Sequence, residues 1–257
     1  MSRICIAFLL AGALPALSLA QGRGGPPQPP KSPREGAPVD FTGTWVSPVT
    51  EDWRWRMVTP LKGDSASVPV TETARKALEA WDPAKDEAAG LQCKAYGAPA
   101  LLRIPGRLKI SWVDDKTLKI ESDEGSQTRL LHFAGTPPAK AEPSWQGYSM
   151  ANWEKPFASP EGSGLGVFRV GNNGRSLEVA TTQLRPGYIR KNGIPYSANT
   201  VMTEYFDRHN GPGDMEWFTV TTVVTDPEYL AVPFVTSTDY RKEADASKWS
   251  PTPCTAR

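Results

Sequence analysis

Two histidines and three cysteines in 257 residues leave little material for soft-metal chemistry. They stand far apart as Cys5, Cys93, His132, His209 and Cys254, with no ligand spacing among them, which excludes a zinc site built on thiolates. Net charge is also nearly absent, with 29 Lys plus Arg against 28 Asp plus Glu. Binding a phosphate backbone needs a net or clustered excess of cations, so nucleic acid is not an expected partner. No apolar run after residue 20 is long enough for a membrane span. The sequence further lacks a phosphate-binding loop with its Lys, a zinc-protease helix motif and calcium-loop spacing, so no cofactor is expected. Gly147-Tyr148-Ser149-Met150-Ala151 approximates a nucleophile elbow, but no helical pattern follows it. The glycines of Gly162-Ser163-Gly164-Leu165-Gly166 lack the strand-to-helix setting of a dinucleotide site.

What is present begins with a leader. Ile4 to Leu19 is almost wholly apolar, follows Arg3, and ends in Ser18-Leu19-Ala20, the small-residue pattern a signal peptidase reads. Cleavage is expected after Ala20, giving a periplasmic or secreted protein. Cys5 leaves with the leader, and Cys93 and Cys254 remain as an even pair, expected to form one disulfide in an oxidising compartment. Gln21 to Pro38 carries six Pro and four Gly with no aromatic or β-branched residue, which predicts a disordered spacer. One domain then runs from Val39 to Arg257.

Two early helices are predicted. Thr71 caps a segment that puts Ala74, Ala77, Leu78 and Trp81 on one face, and Asp82 caps a second that starts with Pro83 and stops at Gly90. Almost everything else alternates at the strand period. The strands expected are Thr42 to Val46, Trp53 to Val58, Arg107 to Val113, a continuation at Leu118 and Ile120, Gln127 to Phe133, Gly164 to Val170, Leu177 to Leu184, Val201 to Arg208, Trp217 to Thr225 and Tyr229 to Arg241. Asn172-Asn173-Gly174 and Asn192-Gly193 mark tight turns. Sequential hairpins without crossover helices predict an all-β fold, an antiparallel meander closed into a barrel of about eight to ten strands, with a two-sheet sandwich as the alternative.

The segment Asp40-Phe41-Thr42-Gly43-Thr44-Trp45 resembles the Gly-x-Trp signature on the first strand of lipocalins. The resemblance implies that Trp45 plugs the closed end of a calycin-type barrel, beneath a basic side chain of the last strand. Arg241 or Lys242 stands at that place. Two features depart from the pattern: the helices come early instead of after the eighth strand, and Thr238-Asp239-Tyr240, similar to another lipocalin motif, lies too near the C-terminus. The layout also looks like that of exported bacterial barrel proteins.

Candidate chemistry concentrates in three places. Leu184 to Tyr196 gathers Arg185, Tyr188, Arg190, Lys191 and Tyr196 around a Pro-Gly turn and a tight hairpin, donors able to hold a phenol or carboxylate at the barrel mouth. Arg129 shares a strand face with Gln127 and Leu131, whereas His132 lies on the opposite face, so only one of the two points inward. His132 is the natural general base if it is the inward one. Glu204 shares a face with Met202, Phe206 and Arg208. Buried, it is a candidate acid or base; paired with Arg208 outside, it leaves Tyr205 and Thr203 to line the interior. Nine Trp add pocket walls: Trp53 and Trp55 alternate with Arg54 and Arg56, and Trp145 and Trp153 flank a strand containing Gly147. The expectation is an exported barrel that binds a small apolar or aromatic molecule in its interior, with Trp153 among the walls. The alternative is a cofactor-independent lyase or isomerase using His132 or Glu204 in the same cavity.

Overall fold

Strands that bury alternate residues must stack on a second sheet or curl round a core, and here they curl. A computed structural model describes residues 31–139, 142–154 and 176–257. In chain order it contains β1 (Gly43–Val46), α1 (Trp53–Arg56), α2 (Glu72–Ala80), α3 (Pro83–Ala88), α4 (Ala98–Leu101), β2 (Arg107–Asp114), β3 (Thr117–Ser122), β4 (Gln127–His132), β5 (Tyr148–Trp153), β6 (Ser176–Thr182), β7 (Gly187–Arg190), β8 (Ile194–Tyr196), β9 (Val201–Asn210), β10 (Glu216–Thr225) and β11 (Phe234–Glu243). Nine strands close into a barrel in the order β1-β11-β10-β9-β6-β5-β4-β3-β2, and β7 pairs with β8 apart from it.

The expected alternation sets the inward faces. Leu108 and Ile110 of β2, Leu118 and Ile120 of β3, Phe206 of β9, Phe218 and Val220 of β10 and Tyr240 of β11 are all buried in one core. Trp45 is fully buried among them and stands opposite Lys242 in the β1–β11 register. The Lys242 ammonium lies 5.6 Å from the centre of the indole, the arrangement the lipocalin resemblance implies. Arg241, the other candidate, lies over Trp217 instead. The architecture is a closed nine-stranded barrel compatible with a lipocalin-like fold, and a fold does not assign a function.

Helix signals act where the sequence placed them. The Thr71 hydroxyl accepts from the Ala74 amide (3.2 Å) and the Asp82 carboxylate from the Ala84 amide (3.1 Å). The chain beyond α3 turns at Gly90 with φ +68°. Cys93 is bonded to Cys254, which ties the helical region to the C-terminal tail.

Several expectations need correction. One junction leaves the meander: β4 and β5 run parallel, through only Leu131↔Ser149 and His132↔Met150. Trp53 to Val58 is not a strand but begins with the helical turn α1, because the Asp52 carbonyl accepts from the amides of both Trp55 and Arg56. Tyr229 to Pro233 precedes β11 as a turn, since Asp226 accepts from the Glu228 and Tyr229 amides and bends the chain there. Gly147 lies in the turn before β5. The spacer expected through Pro38 enters the described residues at Lys31, and its last residues touch the barrel. The Pro33 carbonyl accepts from the Trp153 indole (2.9 Å) and the Arg34 amide donates to Asp115 (3.2 Å). A proline-rich segment loses little entropy on docking, and the indole N–H needs an acceptor. The leader, the strand expected at Gly164 to Val170 and the turn at Asn172-Asn173-Gly174 lie outside the described residues.

Candidate functional site

Among the described residues, the barrel interior holds one charged pair. Arg129 of β4 and Glu204 of β9 point inward, each fully buried, and both carboxylate oxygens accept from the guanidinium at 3.0 and 2.6 Å. Ser149 and Thr181, on the intervening strands β5 and β6, add hydroxyls at 3.4 and 3.3 Å from Arg129 Nη2 and are 2.8 Å apart. A bidentate pair of this kind engages both carboxylate oxygens, while Arg129 Nε is buried without a partner. Around the pair, inward positions are occupied by Ile120, Leu131, Val179 and Phe206. These side chains occupy inward positions along the described strands.

The other candidates lie elsewhere. His132 faces outward at the end of β4, with its ring stacked on Tyr148 at 4.6 Å. Tyr205 lies on the outer face of β9, because Glu204 takes the inner one. Arg208 pairs with Glu216 at the barrel end and donates to the Asp40 carbonyl. Trp153 packs between Phe41 and Phe133 at that same end.

The segment expected at the barrel mouth divides. Arg185 stays outside, stacked over Trp145 at 4.7 Å. Tyr188 donates to Asp86 (2.7 Å), which also accepts from Lys94 (2.7 Å) and Trp81 (3.2 Å). Burial first, and then that bond, raise the pKa of the Tyr188 phenol, so it stays a donor. Tyr196 is buried with its hydroxyl unpartnered, and burial raises its pKa as well. The hairpin is covered because Asn192-Gly193 turns under Trp81, where a side chain on Gly193 would collide with the indole.

Arg190 leads to a different site. With Trp55, Arg56, Arg103 and Lys191 it lines a cavity of about 50 Å³, whose remaining wall is Thr59 and apolar residues that include Pro60, Ile104 and Pro105. Arg56 is the best satisfied of the three arginines: it pairs with Glu51 and donates to Ser47 Oγ (2.6 Å) and to the Arg103 carbonyl (3.0 Å). Arg103 Nη2 pairs with Asp52 at 2.9 Å, but its Nη1 is buried without a partner. Arg190 donates only to neutral oxygens, the Ala66 carbonyl (3.0 Å) and Ser67 Oγ (2.8 Å), and its guanidinium lies 5.5 Å over Trp55. Trp55 Nε1 is likewise buried and unpartnered.

Four cations thus line this cavity, and two carboxylates, Glu51 and Asp52, pair with them. Burial and, after it, the charge of Arg103 weaken Arg190's hold on its proton, and burial does the same to Arg56 against the opposing effect of Glu51. Positive charge is energetically expensive there, and a bound anion would relieve it. Reading the sequence picked out Arg190 and the Trp-Arg alternation at 53–56, but not Arg103. Three arginines so distant in sequence are joined only by the fold. Arg54 and Arg56 did carry a signal, an indole and guanidinium density unusual for a solvated strand.

Among the described residues no three His, Cys, Asp or Glu side chains form a group that could hold a metal. Against family models, functionally described proteins and solved structures, the chain has no significant match.

Proposed function

We propose that this is an exported binding protein for a small aromatic acid, and that it grips the acidic group in the Arg56–Arg103–Arg190 cavity rather than inside the barrel. One observation carries the reading. Trp55 and Arg103, both in the wall of one cationic cavity, each carry a buried N–H donor without an acceptor, Nε1 and Nη1. An unsatisfied buried donor costs about 1–3 kcal/mol, more when charged, so an arriving carboxylate or phenolate would gain what the empty site forgoes. A cavity of about 50 Å³ has room for a carboxylate group. The ring would then lie over Trp55 and along Pro60, Ile104 and Pro105, where stacking and apolar contact combine. The apolar leader and the Cys93–Cys254 bridge support the exported location. Acid–base catalysis in the barrel is the weaker reading, because both oxygens of Glu204 are engaged by Arg129 and His132 faces outward.

Calorimetric titration with benzoate, 4-hydroxybenzoate and cinnamate, against their neutral amides, tests the proposal. The acids should bind and the amides should not, and Arg103→Ala should weaken the acids roughly tenfold or more. Equal binding of acids and amides would sink the anionic reading. Unchanged affinity in Arg103→Ala would place the site elsewhere.

A further inference from the structure

Residues 53–62, Trp-Arg-Trp-Arg-Met-Val-Thr-Pro-Leu-Lys, distribute their side chains the wrong way round for a solvated loop. Trp55, Arg56 and Pro60 turn inward to the cavity, while Trp53, Met57, Val58 and Leu61 are 71%, 61%, 68% and 73% exposed. Four of the ten large hydrophobic side chains exposed among the described residues fall within these nine positions, from 53 to 61. Scattered exposed hydrophobics need no explanation, but a cluster does. Exposed Arg54, within the cluster and 3.8 Å from Asp64, and exposed Lys62 at its end supply cations, and the ten-residue segment itself contains no acid.

The segment is also held firmly. The fully buried Asn192 donates to the carbonyls of Leu61 (3.0 Å) and Asp64 (2.8 Å), and Arg56 anchors the other end through Glu51 and Ser47. The backbone is thus tied at both ends, which lowers the entropy lost on docking.

From this we infer that residues 53–62 dock the protein on an anionic phospholipid surface. Indole at headgroup depth, short apolar side chains just below it and cations beside it make up the chemistry of an interfacial anchor. The charge pattern selects the occupant. A second copy of the chain meeting this face would set Arg54 and Lys62 against their own like charges, whereas phosphatidylglycerol headgroups would neutralise them.

Co-sedimentation with vesicles decides it. The intact protein, with an identical N-terminus in every arm so that any effect of the leader cancels, should bind vesicles containing phosphatidylglycerol and not those of phosphatidylcholine alone. High salt should weaken the binding. Trp53→Ser combined with Leu61→Ser should reduce the bound fraction roughly tenfold. Neither residue lines the arginine cavity, so this variant should titrate aromatic acids like the parent, which keeps the two proposals separable. Equal binding to both vesicle types, or binding indifferent to the double substitution, overturns the inference. So does a dimer in sedimentation velocity that the substitution dissolves, since the face would then belong to a second copy.

Discussion

Arg129 and Glu204 bridge strands that are not neighbours. β5 and β6 stand between β4 and β9 in the barrel order, and the ion pair spans them. It crosses inside the one junction where the sheet has only two register pairs, β4 with β5. Removing one partner would strand a fully buried charge, so Glu204→Gln is expected to destabilise the fold by about 3–5 kcal/mol. Replacing both by apolar residues, Arg129→Met with Glu204→Leu, should restore most of that loss, because the desolvation penalty disappears with the charges. Urea unfolding of the two variants checks this; a double variant less stable than the single would contradict it.

Gly193 makes the seat of the β7–β8 hairpin. Its φ is +90°, and a Cβ there would lie 2.3 Å from Trp81 Cγ. Gly193→Ala therefore combines backbone strain with overpacking, each worth about 1–3 kcal/mol. Hydrogen exchange should accelerate across residues 187–196 in this variant while β9 to β11 stay protected.

The Cys93–Cys254 bridge closes a separation of 161 residues. Removing such a bridge commonly costs about 2–5 kcal/mol. The tail keeps other ties, from the Thr252 amide to the Asp123 carbonyl (2.9 Å) and from the Thr255 amide to the Tyr96 hydroxyl (3.3 Å). Reductant should lower the melting temperature by several degrees without abolishing the native circular dichroism. An unaltered melting temperature would argue that the tail contributes nothing.

Asp226 contributes to the acid side of the stability profile. Burial works to raise its pKa, but the Thr200 hydroxyl and the amides of Ser197, Tyr229 and Glu228 all donate to it and hold it below the usual aspartate value of 3.8. A carboxyl depressed in the folded state contributes stability that is complete above its unfolded pKa and is lost as pH falls through the folded one. Asp226→Asn should therefore cost about 1–3 kcal/mol near neutral pH. The gap from the parent protein should narrow in acid below the usual aspartate range, as followed by urea unfolding at both pH values.

Alternation exposed most of the barrel in the sequence. It identified which residues share a face, as with Arg129 and Leu131 or Glu204 and Phe206, yet alternation has no sign. Which face turns inward depends on partners two or three strands away, and Arg129 and Glu204 settle it for each other. The caps at Thr71 and Asp82 were legible because capping is local. The helical turn at Trp53–Arg56 was not, since four residues are too few for a helix to show its period and Trp-Arg-Trp-Arg imitates a strand. The parallel step at β5 was hidden because its determinants lie in the connection between strands. The arginine cavity was invisible for a similar reason: Arg56 and Arg103 meet through a side chain donating to a distant carbonyl, a bond without any sequence signature.

The bridge has a topological consequence as well. The covalent circle from Cys93 to Cys254 contains β2 to β6 and β9 to β11, and of the nine barrel strands β1 alone lies outside it. β1 is also the strand that seats Trp45 and closes the gap between β2 and β11. The molecule is thus a belt with a keystone: eight strands lie within one covalent loop closed by a sulfur–sulfur bond, and the ninth precedes that loop in the chain. Pulling on the N-terminus of the oxidised protein would draw out the keystone while the belt stayed buckled.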